Sequence, residues 1–571
     1  MKQIFKYTVI SVGIVIGLSS CSDFFNILPL NEVVLESFYT EENDITSVIN
    51  SCYAGLEASS CIKDFAVWGE LRSDNIVAGS GASVDEMQML KENILPTSSY
   101  SNWAPIYVVI NRCNTVLHYA PIVNQRDPNY TISEMKADIA EVKALRALCY
   151  FYLIRTFRDV PFVTEPSIDD TQNYKIPVTS FDDILTYLIN DLESVKDDAL
   201  RRYAVVTDNT SRITRYSIYA LLADMTLWKQ DYPKCVEYCD KVIDYKRELY
   251  TEEYNSKGIN TDLALFKTYP LISENASTGS TRSGNAATKI FGTGNSFESI
   301  FELNFEQNQS TENSFIPNYY ANNSSIGYFS ATPFLVENVA TGANKVFKNT
   351  DCRYLESMGP ASASSSQYTI IKYTRASVSF DTPTAASSTS PTVSGVSRSG
   401  NYANWIIYRL TDIMLMKAEA EIQIGKSLLN DSVSPSVTLK PYLQNAFSLV
   451  SAVYNRANNK TSLSTDTLKY SDYSGTFGAM EDLVQLERQR ELLFEGKRWY
   501  DLVRRARREG KNDNLVSNAI KKQTSNTGAV QIKLASSDGL YFPYSESELK
   551  INPFLKQNPA YDTDKTATKS E

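Results

Sequence analysis

The chain has 571 residues, a formal net charge of −10 and a single histidine, with 43% hydrophobic and 21% charged residues. That mixture is an ordinary globular one, large enough for one very big unit or two closely packed ones, and its acidity argues against nucleic acid as a partner. One histidine cannot build a histidine-based metal cluster, and a serine triad would have to use His118 itself, near the predicted end of a helix.

The opening residues, MKQIFKYTVISVGIVIGLSSC, place Lys2 and Lys6 before an apolar stretch from Tyr7 to Leu18 that is too short to span a bilayer. The run Leu18-Ser19-Ser20-Cys21 resembles a bacterial lipobox, which implies that Cys21 is lipidated and becomes the acylated N-terminus. Residues 1–20 are then a signal peptide that is removed, and 21–40 a lipid-anchored tether. Several acyl chains hold a protein stably on a membrane. The rest of the sequence has no apolar run long enough to cross one. The remaining cysteines, Cys52, Cys61, Cys113, Cys149, Cys235, Cys239 and Cys352, show no CxxC spacing. No metal and no cofactor are expected.

From 41 to 250 the sequence reads as helix after helix. ENDITSVINSCYAGLEA, NWAPIYVVINRCNTVLHYA, the segment from Ser133 to Arg158 and FDDILTYLINDLESV all repeat apolar residues at three- and four-residue spacing. Thr131 and Ser133 are available caps for the third of these, and Pro161 stops it. SRITRYSIYALLADMTLWKQDYPKCVEYCDKVIDY predicts two helices joined at Gln230-Asp231-Tyr232-Pro233. Its small residues at the crossing make it similar to a tetratricopeptide (TPR) hairpin. RLTDIMLMKAEAEIQIG and PYLQNAFSLVSAVYNRAN predict a second hairpin, with 426–440 as the connection. Between the helical parts, residues 251–400 are rich in Ser, Thr, Gly and Asn and read as surface loops with short strands; SIFELNFEQN alternates as one strand. The expected fold is therefore mainly α: a TPR-like helical scaffold with long irregular loops and a few short β-strands. Residues 41–250 form its N-terminal part and 251–571 its C-terminal part, packed as one globular unit.

LERQRELLFEGKRWYDLVRRARREG, Leu486 to Gly510, carries the densest charge. On a helix its apolar residues surround the axis, so the segment is expected to be buried with its charges paired. At helical spacing the pairs are Arg488 with Glu491, Glu495 with Arg498, Lys497 with Asp501, and Asp501 with Arg504 or Arg505. Arg504, Arg505, Arg507 and Arg508 read as a solvated end, and Gly496 as a turn or a close contact. Structural frame is the reading, ahead of a polyanion site or catalysis.

LERQRELLFEGKRWYDLVR also resembles the hallmark segment of the SusD/RagB family. CSDFFNILP, AEVKALRALCYFYLIRTFRDVPFVTEP, NWIIYRLTDIMLMKAEA and YFPYSESELKINPFLKQNPAY resemble further family segments, in order from Cys21 to Tyr561. The resemblance implies a lipid-anchored outer-membrane protein facing the cell surface. Such a protein binds a glycan and passes it to a TonB-dependent, SusC-like transporter, without catalysis. A peptide- or glycoprotein-binding member of the family is the alternative; a TPR-like protein-interaction lipoprotein and a glycoside hydrolase are less favoured.

Sugar C–H faces stack on exposed aromatic rings, and binding groups concentrate in loops on a rigid scaffold. Two stretches supply candidates: VWGELRSDNIVAGSG with Trp68, Asp74 and Asn75, and NSFIPNYYANNSSIGYFS with Tyr319, Tyr320, Tyr328 and Phe329.

Overall fold

The computed structural model describes residues 38–168, 172–257, 263–274, 281–283, 285–306, 312–322, 325–335, 346–347, 351–360, 367–381, 393–431, 440–458 and 467–562. Cys21, the expected signal peptide and most of the expected tether lie outside them, as does part of the 251–400 region.

Helix α1 (Glu42–Glu57) is followed by α2 (Ser59–Glu70), α3 (Val84–Leu90) and α4 (Ala104–Arg126), which carries Pro105 in its first turn. Helix α5 (Ile132–Phe157) begins at Thr131, whose hydroxyl accepts from the Glu134 N–H at 3.2 Å while the Glu134 carboxylate accepts from the Thr131 N–H at 2.9 Å. This reciprocal pair satisfies two otherwise orphaned donors, so Thr131 rather than Ser133 is the cap. The helix ends where Arg158 turns to φ 70°, three residues before Pro161. Helix α6 (Phe181–Val195) buries Phe181, Ile184, Leu185, Leu188, Leu192 and Val195, a single apolar stripe.

The predicted TPR-like hairpin is α7 (Arg215–Lys229) and α8 (Tyr232–Lys257), closed by Gln230 in the left-handed region at φ 64°. Tyr216 and Tyr245 stack across it at 3.5 Å. The second hairpin is α9 (Leu410–Asp431) and α10 (Lys440–Asn458), its first helix running past the expected end at 425. Helix α8 packs against α9. Helices α11 (Phe477–Glu491) and α12 (Arg498–Glu509) cover the second hairpin, and α13 (Glu546–Ile551) lies near the C-terminus. No helix among the described residues is long and apolar enough to cross a membrane.

The strands are short. β1 (Ile76–Ala78), β3 (Phe329–Ala331), β4 (Met358–Pro360) and β5 (Tyr368–Ile370) form an antiparallel sheet in the order β1-β3-β5-β4. β2 (Ser299–Leu303), the strand expected in SIFELNFEQN, pairs with β6 (Trp405–Arg409), and every residue of both is buried. The chain is thus mainly α with small sheets, as expected from the sequence.

The charged segment is frame, but not as one helix. It breaks between α11 and α12, where Phe494 and Gly496 take φ 64° and 68°. A β-carbon on Gly69 would lie 1.8 Å from the Gly496 carbonyl oxygen, so α2 and this turn touch backbone to backbone. The break changes the partners. Asp501 does pair with Arg504, yet Arg488 turns to Asp412 and Asp501, Glu495 to Arg409 and Lys372, Lys497 to Asp412, and Arg498 to Asp74. Glu491 receives Arg353, Arg409 and Arg456 together. Arg504 and Arg508 are not a solvated end; both hold the buried Glu419. Desolvation opposes ionisation of these carboxylates, but the guanidinium groups outweigh it and hold Glu491 well below the usual carboxylate range.

Candidate functional site

The two stretches selected from the sequence meet. β1 and β3 pair with Ile76 opposite Ala331 and Ala78 opposite Phe329. Beyond the strand ends the Gly79 N–H donates to the Tyr328 carbonyl at 2.7 Å, and the Ser80 hydroxyl to the Ile326 carbonyl at 3.1 Å. Glycine is needed here for clearance: a β-carbon on Gly79 would lie 2.1 Å from the Gly327 carbonyl oxygen, and one on Gly81 2.4 Å from the Tyr328 ring.

Five of the seven selected side chains are nonetheless withdrawn from solvent. Trp68 points inward from α2; its indole N–H donates to the Tyr100 carbonyl at 2.9 Å and its ring meets Phe157 edge-on. The Asp74 carboxylate accepts from Arg498 at 2.8 Å and from the Gln489 amide at 3.1 Å. Asn75 donates to Glu70 at 2.6 Å and accepts from Gln489 at 2.8 Å. The Tyr320 hydroxyl donates to the Phe494 carbonyl at 2.7 Å, and Phe329 packs against Phe315 and Tyr319. The loop-like look of RSDN is corrected by its partners: Asp74 and Asn75 tie β1 to the charged frame.

Tyr319 and Tyr328 remain at the surface. Tyr328 is 36% exposed and meets Tyr319 edge-on, with centroids 4.9 Å apart. Tyr319, partly buried, stacks on Phe315 at 4.7 Å. Beneath it is a cluster that the sequence did not single out. The Tyr319 and Tyr100 hydroxyls are 3.1 Å apart, Tyr100 donates to the Glu86 carboxylate, and Lys63 Nζ stands 4.6 Å over the Tyr100 ring. Glu86 also accepts from the Ser83 N–H, closing a capping box at the start of α3. Ser83-x-x-Glu86 is visible in the sequence as such a box, but nothing local links it to Tyr100 or Tyr319. Burial pushes the Tyr319 hydroxyl up to about 12 and Tyr100 higher still, so both stay neutral hydrogen-bonding groups. Asn318 and Ser80 are exposed at the rim. The arrangement offers a fixed aromatic edge and face with hydroxyl and amide groups beside it.

The same turn, Ile316–Tyr320, borders a polar cleft of about 200 Å³ lined by Asn313, Thr374, Arg398 and Asn401. A larger cleft of about 770 Å³ opens elsewhere, between the start of α4, residues 161–167 and 172–176, and α13. Its exposed rim residues Val108, Tyr174 and Ile551 are apolar or aromatic, and none of the seven selected residues lines it. Among the described residues no group of three or more His, Cys, Asp or Glu side chains is placed to hold a metal ion.

The sequence profile of the SusD family matches residues 297–561. SusD-like protein P38 of Formosa agariphila is 23% identical over 97% of both chains, and SusD-like protein P25 of the same organism is 25% identical over 87% of this chain and 89% of its own. A solved SusD superfamily structure from Bacteroides vulgatus superposes with a TM-score of 0.63 at 18% identity, covering 92% of this chain and all of that one. Another from the same species, named as a candidate sugar binding protein, gives 0.60 at 18% identity over 93% of this chain and all of its own. The structural likenesses establish the fold, and together with the profile over residues 297–561 and the full-length relatives they support assignment to the SusD/RagB family.

Proposed function

We propose that this protein is a non-catalytic, cell-surface glycan-binding lipoprotein that captures an oligo- or polysaccharide and delivers it to a TonB-dependent, SusC-like transporter. The observation that carries the reading is the Tyr328–Tyr319 platform, an exposed ring edge-on to a half-buried one, where two loops are stitched together. Aromatic rings take up the C–H faces of pyranosides, and neighbouring hydroxyl and amide groups satisfy sugar hydroxyls. Glu86, the carboxylate beneath the platform, is buried and engaged by Tyr100 and Ser83, an arrangement that orients rings rather than one that protonates a glycosidic oxygen. The net charge of −10 suits a neutral ligand. The SusD/RagB assignment supports outer-membrane attachment through Cys21 and the transporter as partner.

The test is affinity electrophoresis of residues 22–571, without the lipid, through gels containing different polysaccharides, with reducing ends assayed in each incubation. Retardation by one polymer without release of reducing ends supports the reading and names the ligand class. Release of reducing ends points to hydrolysis. No retardation by any polymer shifts the ligand to peptides or glycoproteins.

A further inference from the structure

Seven cysteines are described, and all are buried. Two of them, Cys52 on α1 and Cys113 on α4, come from helices that pack against each other and sit with their sulfurs 3.7 Å apart. The contact belongs to a close crossing. One turn along, a β-carbon on Gly55 would lie 2.7 Å from Val109 Cγ2 and 2.9 Å from the Arg112 guanidinium, so any larger residue there would force those side chains to shift. Gly55 faces Val109 and Cys52 faces Cys113, offsets of three and four residues in opposite directions, which is the register of an antiparallel pair. The Arg112 guanidinium donates to the Ser51 carbonyl at 2.6 Å beside the pair and fixes that register.

From this geometry we infer that Cys52 and Cys113 are joined by a disulfide in the mature protein. Bringing the sulfurs from 3.7 Å to bonding distance requires a closure of about 1.7 Å. The inference rests on the exported location proposed above, because disulfides persist in oxidising compartments. Each thiol gives up its proton and one electron as the sulfur–sulfur bond forms. The two electrons and two protons pass to the disulfide of an exported thiol–disulfide oxidoreductase, which leaves as a dithiol. Both sulfurs are fully buried once the helices pack, and burial pushes the Cys113 thiol well above its ordinary value. The bond therefore forms before α1 and α4 close, and afterwards small reductants reach it only through unfolding. It ties α1 to α4.

The experiment compares the full chain, exported with its own N-terminal segment, with residues 22–571 made in a reducing cytoplasm. Each is unfolded in guanidinium with N-ethylmaleimide and no reductant, digested and mapped by mass spectrometry. The expected result is a linked peptide pair carrying Cys52 and Cys113 in the exported protein, and both cysteines alkylated in the cytoplasmic one. Reductant should lower the melting temperature of the exported wild type by several degrees and leave that of exported Cys52→Ser unchanged. Alkylated Cys52 and Cys113 in the exported chain, or linkage of either to Cys61 or Cys149, overturns the inference. The mapping uses the wild type alone, so it decides the matter even if Cys52→Ser does not fold, and it is independent of any glycan result.

Discussion

Replacing Glu491 by glutamine tests the buried charge network at its densest point. The carboxylate receives Arg353 at 3.1 Å, Arg409 at 2.6 Å and Arg456, and all four side chains are buried. Glutamine keeps the shape and one acceptor but removes the charge. Breaking a buried ion pair from one side costs about 3–5 kcal/mol. Here each guanidinium keeps another carboxylate: Asp351 and Glu487 for Arg353, Glu495 for Arg409, and Glu298 for Arg456. The lower end, about 3 kcal/mol, is the expectation. With an unfolding entropy of about 2.1 cal/mol/K per residue, a 571-residue chain melting as one unit changes by about 1.2 kcal/mol/K. The melting temperature should fall by only about 2–3 °C, while the urea midpoint should move clearly at unchanged slope. The pH dependence follows from the depressed folded value. The stabilisation is fully present above the unfolded carboxylate value of about 4.3 and is lost as pH falls below it, so the wild-type advantage is constant from pH 5 to 7.5 and shrinks under more acidic conditions. A Glu491→Gln protein with the wild-type urea midpoint at pH 7 would refute the view that this carboxylate neutralises the arginines.

Gly69→Ala drives a β-carbon into the Gly496 carbonyl, a backbone contact no rotamer relieves; urea unfolding should show a loss of about 3 kcal/mol, at the upper end for overpacking. Tyr320→Phe leaves the Phe494 carbonyl without its donor and should cost about 1–2 kcal/mol in stability, with glycan retardation unchanged. Burial pushes the Glu57 carboxyl up to about 7. The folded protein holds a proton that the unfolded chain has released, so stability falls as pH rises from about 4.3 to about 7. Glu57→Gln should raise the melting temperature at pH 8 and leave it unchanged at pH 4, as measured by calorimetry.

Local signals carried much of the fold. The three- and four-residue apolar spacing marks α4 to α10, Pro161 marks the stop after α5, and the small residues of the α7–α8 crossing mark a hairpin. Long-range partners were not legible. Leu492 to Lys497 reads as helix until Phe494 and Gly496 adopt positive φ, and once they do, the charges, the Asp501–Arg504 pair apart, face Asp412, Arg409 and Glu419 rather than the expected helical neighbours. The same limit governs the site. RSDN looks like an exposed loop because Gln489 and Arg498, which bury Asp74 and Asn75, are more than 400 residues away in the sequence. Tyr319 and Tyr320 are adjacent and chemically identical. Which of them faces the platform is decided by the turn at Ile316–Tyr320 and by the Phe494 carbonyl that takes the other.

The most direct test of the glycan-binding account is the affinity of Tyr328→Ala for the polysaccharide that retards the wild type, measured by calorimetric titration beside Tyr320→Phe. Tyr328 is the exposed ring of the platform and is held there by Tyr319 and Gly81. Losing its face should weaken binding at least tenfold, about 1.4 kcal/mol, while Tyr320→Phe binds as the wild type does. Equal affinity for Tyr328→Ala and wild type, with both proteins folded, would contradict the account and place the glycan elsewhere on the molecule.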